Sequence, residues 1–141
     1  MAVIEKTTQI IARHEGYRQF PYKDTVGKWT VAYGRNLDDV GISKDEAMSM
    51  LKTDVTGAFK DAHKFRWFKS LDGVRRAVVV NMLFNMGWKK FNGFRKTIAL
   101  IDHGDYNAAS VEMLDSKWAK QVGKRADELS KMMSTGQWPN Q

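Results

Sequence analysis

The sequence predicts an α+β fold, mostly α, with a small sheet near the N-terminus and a larger helical lobe behind it. Three observations carry this reading. Between Tyr17 and Tyr33 apolar and polar residues alternate with period two around a turn signal. From Ser43 onward apolar residues recur at helical spacing, and cap residues divide that part of the chain into helix-sized pieces. At 141 residues and 43% hydrophobic, the chain has the size and apolar content of one folded domain, and neither repeats nor low-complexity tracts interrupt it.

The elements follow in order. Val3, Ile4, Ile10 and Ile11 fit one face of a helix over 3–14, which Gly16 is placed to end. Trp29, Val31 and Tyr33 alternate with Lys28, Thr30 and Ala32, and Asp24-Thr25-Val26-Gly27 supplies a turn, so a hairpin or small antiparallel sheet is expected. Gly34 and the stretch from Asn36 to Gly41 read as a polar loop. Ser43 and Glu46 form an S-x-x-E capping box. Behind it Ala47, Leu51, Val55, Ala58 and Ala62, widened by Met48 and Phe59, trace the longest helix, a strut leading out of the sheet region. Ser70 or Asp72 can cap a segment from Val74 to Met86 that is apolar almost all round, belongs in a core, and stops at Gly87. Helices are further expected over Arg95 to His103 before Gly104, Tyr106 to Ser116 behind Asp105, and Arg125 to Ser134 before Gly136. Trp67, Trp88, Trp118 and Trp138 are read as packing aromatics, and Arg75-Arg76 and Lys89-Lys90 as solvated helix surface.

The chain holds no cysteine, which excludes disulfides, thiol nucleophiles and zinc ribbons. Its net charge of +7 and pI near 9.7 suit a polyanionic partner, and nucleic acid, anionic envelope polymers and a membrane face fit equally well. No run approaches the roughly 18 apolar residues needed to span a bilayer. The first residues, MAVIEKTTQIIARHEG, lack a signal peptide's apolar region and cleavage site, so a product held in the cytosol of the cell that makes it is expected.

His14, His63 and His103 are far apart and no HExxH occurs; nor does a G-x-G-x-x-G, Walker or G-x-S-x-G pattern. Carboxylates remain, and most of the 16 acidic residues belong to solvated surface. Glu15 and Asp24 differ in setting. Glu15 closes an apolar helix beside Tyr17, where an aromatic neighbour and partial burial would raise its pKa toward that of a general acid; Asp24 lies in a polar turn where it should stay ionised. Glycoside hydrolysis uses two carboxyls in two such environments, and Thr30, on the strand after the turn, is placed to position a water. Residue types alone leave this pairing and the plain surface reading both open.

The segment HEGYRQFPYKDTVGKWTVAYGR resembles the catalytic segment of the phage-type lysozymes, glycoside hydrolase family 24, with its E-x8-D-x5-T motif at Glu15, Asp24 and Thr30. LDGVRRAVVVNMLFNMG and GFRKTIALI resemble the family's central helix and its successor, SKWAKQVGKRA the segment around its tryptophan and arginine, and STGQW the C-terminal end, so nearly the whole chain is covered. The resemblance implies one lysozyme-like domain over 1–141, with a small α/β lobe and connecting helix at 15–60 and a helical lobe from 1–14 and 61–141. It implies Glu15 as general acid, with Asp24 and Thr30 holding the attacking water. Phe84, Thr97, Asn36 and Glu112 fall at substrate-contact positions in a cleft between lobes, and Arg125 where the family places an arginine near the acid. Asn36 stands where the T-even member has an apolar residue, Glu112 where it has an amide, and Arg35 where it has a histidine; the loop from Arg35 to Ile42 is far shorter. The family further implies a monomeric muramidase with no cofactor or metal, bacterial peptidoglycan as partner, no nucleic acid and no stable membrane insertion. It is expected in the host cytoplasm until a holin opens the way to the periplasm and cell wall. A lytic transglycosylase, which needs Glu15 but no water-holding Asp24, and a basic nucleic-acid-binding module are the rivals.

Overall fold

A computed structural model describes residues 2–140. Its elements run α1 (Ala2–Glu15), β1 (Arg18–Lys23), β2 (Trp29–Ala32), β3 (Arg35–Asn36), α2 (Lys44–Ala62), a 3-10 turn (Arg66–Ser70), α3 (Gly73–Asn92), α4 (Arg95–Asp102), α5 (Tyr106–Leu114), α6 (Lys117–Val122) and α7 (Lys124–Thr135). The architecture is the expected one, mostly helical with one small antiparallel sheet. The chain divides into two compact units whose boundary falls between Ser49 and Met50, inside α2.

In the first unit the sheet has strand order β1-β2-β3. Tyr22 faces Thr30 and Lys23 faces Trp29, but the register slips between Arg18 and Tyr22. Pro21 lies in that slip, where a residue without an N–H costs no ladder bond. The loop expected after Gly34 carries a third strand of two residues, with Thr30 opposite Asn36 and Val31 opposite Arg35. Two residues are too few for alternation to show. The capping box forms as expected: Ser43 N–H donates to Glu46 Oε1 at 2.9 Å and Glu46 N–H to Ser43 Oγ at 3.2 Å.

The second unit is built on α3. Asp72, rather than Ser70, caps it, accepting the Arg75 N–H at 3.2 Å. Val78, Val79 and Met82 are fully buried, among Phe68, Ile101, Met113, Leu129 and Met133 from the surrounding elements. Burial of each such side chain contributes about 1.5–3 kcal/mol. From α2 the buried part of the predicted stripe is Ala58 and Ala62, with Val55 packed against the same core. The helix expected to stop at Gly87 breaks there, at φ 85° and ψ 166°, and then resumes to Asn92. The fully buried Phe91 gives that last turn its anchor. Two short elements, the 3-10 turn and α6, were not expected. Ser116 caps α6 by accepting the Ala119 N–H at 3.1 Å.

Arg75 departs from the solvated surface expected of it. Its Nε donates to Met133 O at 2.7 Å and its Nη2 to Ser134 O at 3.1 Å, satisfying carbonyls at the end of α7. The guanidinium also sits 4.0 Å from the Tyr106 ring centroid. Gly136, which ends α7 in the left-handed conformation, leaves it room: a Cβ there would stand 2.8 Å from Nη1. Trp118 is buried and Trp67 and Trp88 stack on either side of Phe65, as packing aromatics should, whereas Trp138 is 62% exposed.

Candidate active site

Asp24 is held by its own turn. Its Oδ1 accepts the N–H groups of Val26 at 2.9 Å and Lys28 at 2.8 Å, while its backbone N–H donates to Lys28 O at 2.9 Å. This is the side-chain mimicry of a turn for which aspartate is suited. Thr30 follows on β2. It is buried, and its Oγ1 donates to Lys28 O at 3.0 Å. Asp24 and Thr30 are therefore tied to one residue, Asp24 to both its N–H and its C=O and Thr30 to its C=O. With its proton directed to that carbonyl, the Thr30 oxygen keeps its lone pairs as acceptors.

Glu15 reaches the other end of β2. It is the last residue of α1, and Gly16, at φ 73°, turns the chain so that the Tyr17 ring lies 5.6 Å from that of Tyr33. The Glu15 side chain then lies against Gly34. A Cβ at position 34 would stand 2.8 Å from Glu15 Oε2 and 3.0 Å from Cδ, so it would displace that carboxylate, and at φ 76° the backbone itself favours glycine. Ala32 precedes it at φ 60°, which strains an L-residue and bends the strand into the turn. The partial burial expected of Glu15 is absent: the residue is exposed.

The other predicted site residues fall in four places. Asn36 turns its amide onto its own loop, accepting the Asp39 N–H at 2.9 Å and donating to Asp39 Oδ2 at 3.0 Å. Thr97, buried, and Glu112, half-buried, line one 290 Å³ pocket at the start of α4. Phe84, 43% exposed, lines a separate 620 Å³ groove with Asp54, Asp61 and Trp88. Arg125 donates from Nε at 3.0 Å and Nη2 at 2.7 Å to Asn81 Oδ1, a bond across 44 residues that fastens α7 to α3.

The sequence profile of the phage lysozyme family matches residues 12–133, a span that holds Glu15, Asp24 and Thr30. The chain belongs to the phage lysozyme family. An endolysin from Acyrthosiphon pisum secondary endosymbiont phage 1 is 30% identical, the match covering 89% of this chain and 86% of the endolysin. A protein of Dictyostelium discoideum described as a probable T4-type lysozyme is 24% identical over 95% of this chain and 96% of its own length. A SAR-endolysin from Enterobacteria phage P21 is 26% identical over 79% and 67%. Membership makes this chain a lysozyme-type glycosidase. Among the described residues, no helix is long and apolar enough to cross a membrane.

Several residues around this candidate site went unremarked as functional in the sequence. Gly34, Asp38 and Asp39 sit in what read as a polar loop, and Lys28 in the alternating run after the turn. Gly34 was findable in principle, because an isolated glycine at a strand's end marks a bend or a close approach of another group. Asp38 and Asp39 were not, because the Trp29 N–H and the Lys28 ammonium that they bind lie nine and eleven residues earlier in the chain.

Proposed function

We propose that this chain is an endolysin that hydrolyses the β-1,4 bond between N-acetylmuramic acid and N-acetylglucosamine in bacterial peptidoglycan, inverting the anomeric carbon. Glu15 gives its proton to the glycosidic oxygen as the C1–O bond breaks. A water hydrogen-bonded to Asp24 and Thr30 attacks C1 from the opposite face, and Asp24 takes the proton that the water releases. Phe84, Thr97, Asn36 and Glu112 contact the sugars, and Arg125 supports the acid. The enzyme works as a monomer, without cofactor or metal, binds no nucleic acid and does not insert stably into a membrane. It leaves the cytoplasm of the infected cell when a holin opens the membrane.

The observation that carries this reading is the fastening of Asp24 and Thr30 to the one residue Lys28, with a second carboxylate, Glu15, against the turn at the other end of the same strand. A carboxylate and a hydroxyl oxygen held together form a cradle for one water, and a second carboxyl stands apart from them to serve as proton donor. The net charge of +7 draws the enzyme to the anionic polymers of the wall.

Lysis of chloroform-treated Gram-negative cells by the wild type and Glu15→Gln tests the assignment. The amide keeps the shape and cannot give a proton, so the rate falls by about 10²–10⁴-fold, the usual worth of general acid catalysis. Helical circular dichroism stays the same. A variant within a few-fold of wild type would remove Glu15 from the mechanism.

A further inference from the structure

The residue that holds both water-binding side chains is itself held from outside. β3 ends at Asn36, where the chain turns away: Val40 and Gly41 donate their N–H groups to Asn36 O at 3.1 and 3.2 Å. Trp29, at the start of β2, lies beyond the reach of a two-residue strand, yet both of its backbone groups have partners. Leu37 N–H donates to Trp29 O at 2.7 Å, and the carboxylate of Asp38 accepts the Trp29 N–H through Oδ2 at 2.9 Å. A side chain thus continues the ladder past the end of the strand.

The loop that presents Asp38 is fixed at several points. The Asn36 amide and Asp39 bond reciprocally, and Asp39 Oδ1 takes the Lys28 ammonium at 3.2 Å. Arg35 closes the loop by donating from Nη1 to Gly41 O at 3.1 Å and to Glu46 Oε1 at 2.7 Å, while its Nη2 pairs with Oε2. Glu46 is in turn anchored in the capping box of α2. Two consecutive aspartates on a pre-shaped loop therefore grip the consecutive residues Lys28 and Trp29, one by its side chain and the other by its backbone. An exposed surface loop needs no such bonds for solubility, since both carboxylates would be well hydrated alone.

We propose that Asp38 is a positioning residue for the hydrolytic water: by holding the Trp29 N–H it fixes the Lys28–Trp29 peptide, and with it the geometry between Asp24 and Thr30. This rests on the roles given above to Asp24 and Thr30. Asp38 does not touch the reacting atoms. It acts through Lys28, whose N–H and C=O set where the Asp24 and Thr30 oxygens stand. Displacement of a reacting group by about 1 Å costs on the order of 10²-fold in rate, so a small slackening at Trp29 is read at the water.

The test compares wild type, Asp38→Ala, Asp38→Asn and Asp38→Glu on soluble, uncross-linked peptidoglycan strands, together with amide hydrogen exchange of Lys28 by NMR. In Asp38→Ala, kcat falls by about tenfold to 10²-fold with KM within a few-fold, and the Lys28 amide, which is bonded to Asp24, exchanges at least roughly tenfold faster. Asp38→Asn keeps an acceptor oxygen at the same reach and restores most of kcat. Asp38→Glu keeps the charge but moves the oxygens by one methylene, so its kcat falls as well, and it is the variant to read if Asp38→Ala melts below the assay temperature. An Asp38→Ala enzyme with wild-type kcat, or with a lower Tm and an unchanged Lys28 amide, overturns the proposal. Should the wild type cleave no peptidoglycan, the functional reading fails by itself; Lys28 exchange then decides alone whether Asp38 holds the turn.

Discussion

A single methyl group at position 34 would meet the carboxylate assigned as the general acid, since an added Cβ lies 2.8 Å from Glu15 Oε2. Gly34→Ala therefore has two costs. Left-handed backbone disfavours alanine by about 1–2 kcal/mol, and the Glu15 side chain must leave its place. The expected result is a lower Tm together with a loss of lysis on the order of 10²-fold, the scale of an ångström-sized misplacement. Thermal unfolding and the lytic rate, measured on one preparation, check both; a Tm change with full activity would detach Gly34 from the acid. At this scale the sequence was most informative about residues whose letters carry chemistry. Glu15, Asp24 and Thr30 were singled out by their setting and by the resemblance of their motif to the family's. Asp38 did not, because its meaning depends on an acceptor reaching a strand nine residues earlier.

Among the elements, local signals were legible and non-local ones were not. The Ser43–Glu46 box forms as written because both partners sit in one helical turn. The same Glu46 also takes the Arg35 guanidinium, which only the fold brings near. Hydrogen bonding from Arg35, then from Ser43, holds the Glu46 carboxyl at about 2, below its ordinary 4.5. A carboxyl depressed on folding stabilises above its unfolded value and loses that contribution as pH falls toward its folded value. Stability should therefore decline from about pH 4.5 to about pH 2 through this group. Glu46→Gln should melt lower than wild type at neutral pH, and the difference should shrink across that window. Thermal unfolding as a function of pH checks this, and a difference that stays constant would exclude the pair. Gly87 shows the limit of cap reading: its break was visible, but the helical turn that follows depends on Phe91 finding the core. Likewise α6, at six residues, is shorter than the periodicity that reveals a helix.

For the whole molecule, class and function followed from different kinds of information. The mostly helical class came from periodicity and caps, which are local and survive in a single sequence. In the helical core from Ala58 to Met133 the apolar run of α3 announced the burial of Val78, Val79, Val80, Met82 and Leu83, whereas of the α2 stripe only Ala58 and Ala62 are buried. Charge, by contrast, decided little: +7 suits several polyanions, and Arg75 proved to be spent on the end of α7 rather than on any surface partner. What supports the proposed peptidoglycan hydrolysis is the arrangement around β2 together with membership of the lysozyme family. The most direct measurement is early-time NMR of the reducing ends released from peptidoglycan by the wild-type enzyme. Attack by a water on Asp24 and Thr30, opposite the departing sugar, releases N-acetylmuramic acid first as the α anomer, with β appearing only by mutarotation. A β anomer as first product, or an anhydro sugar with no reducing end, would contradict the account.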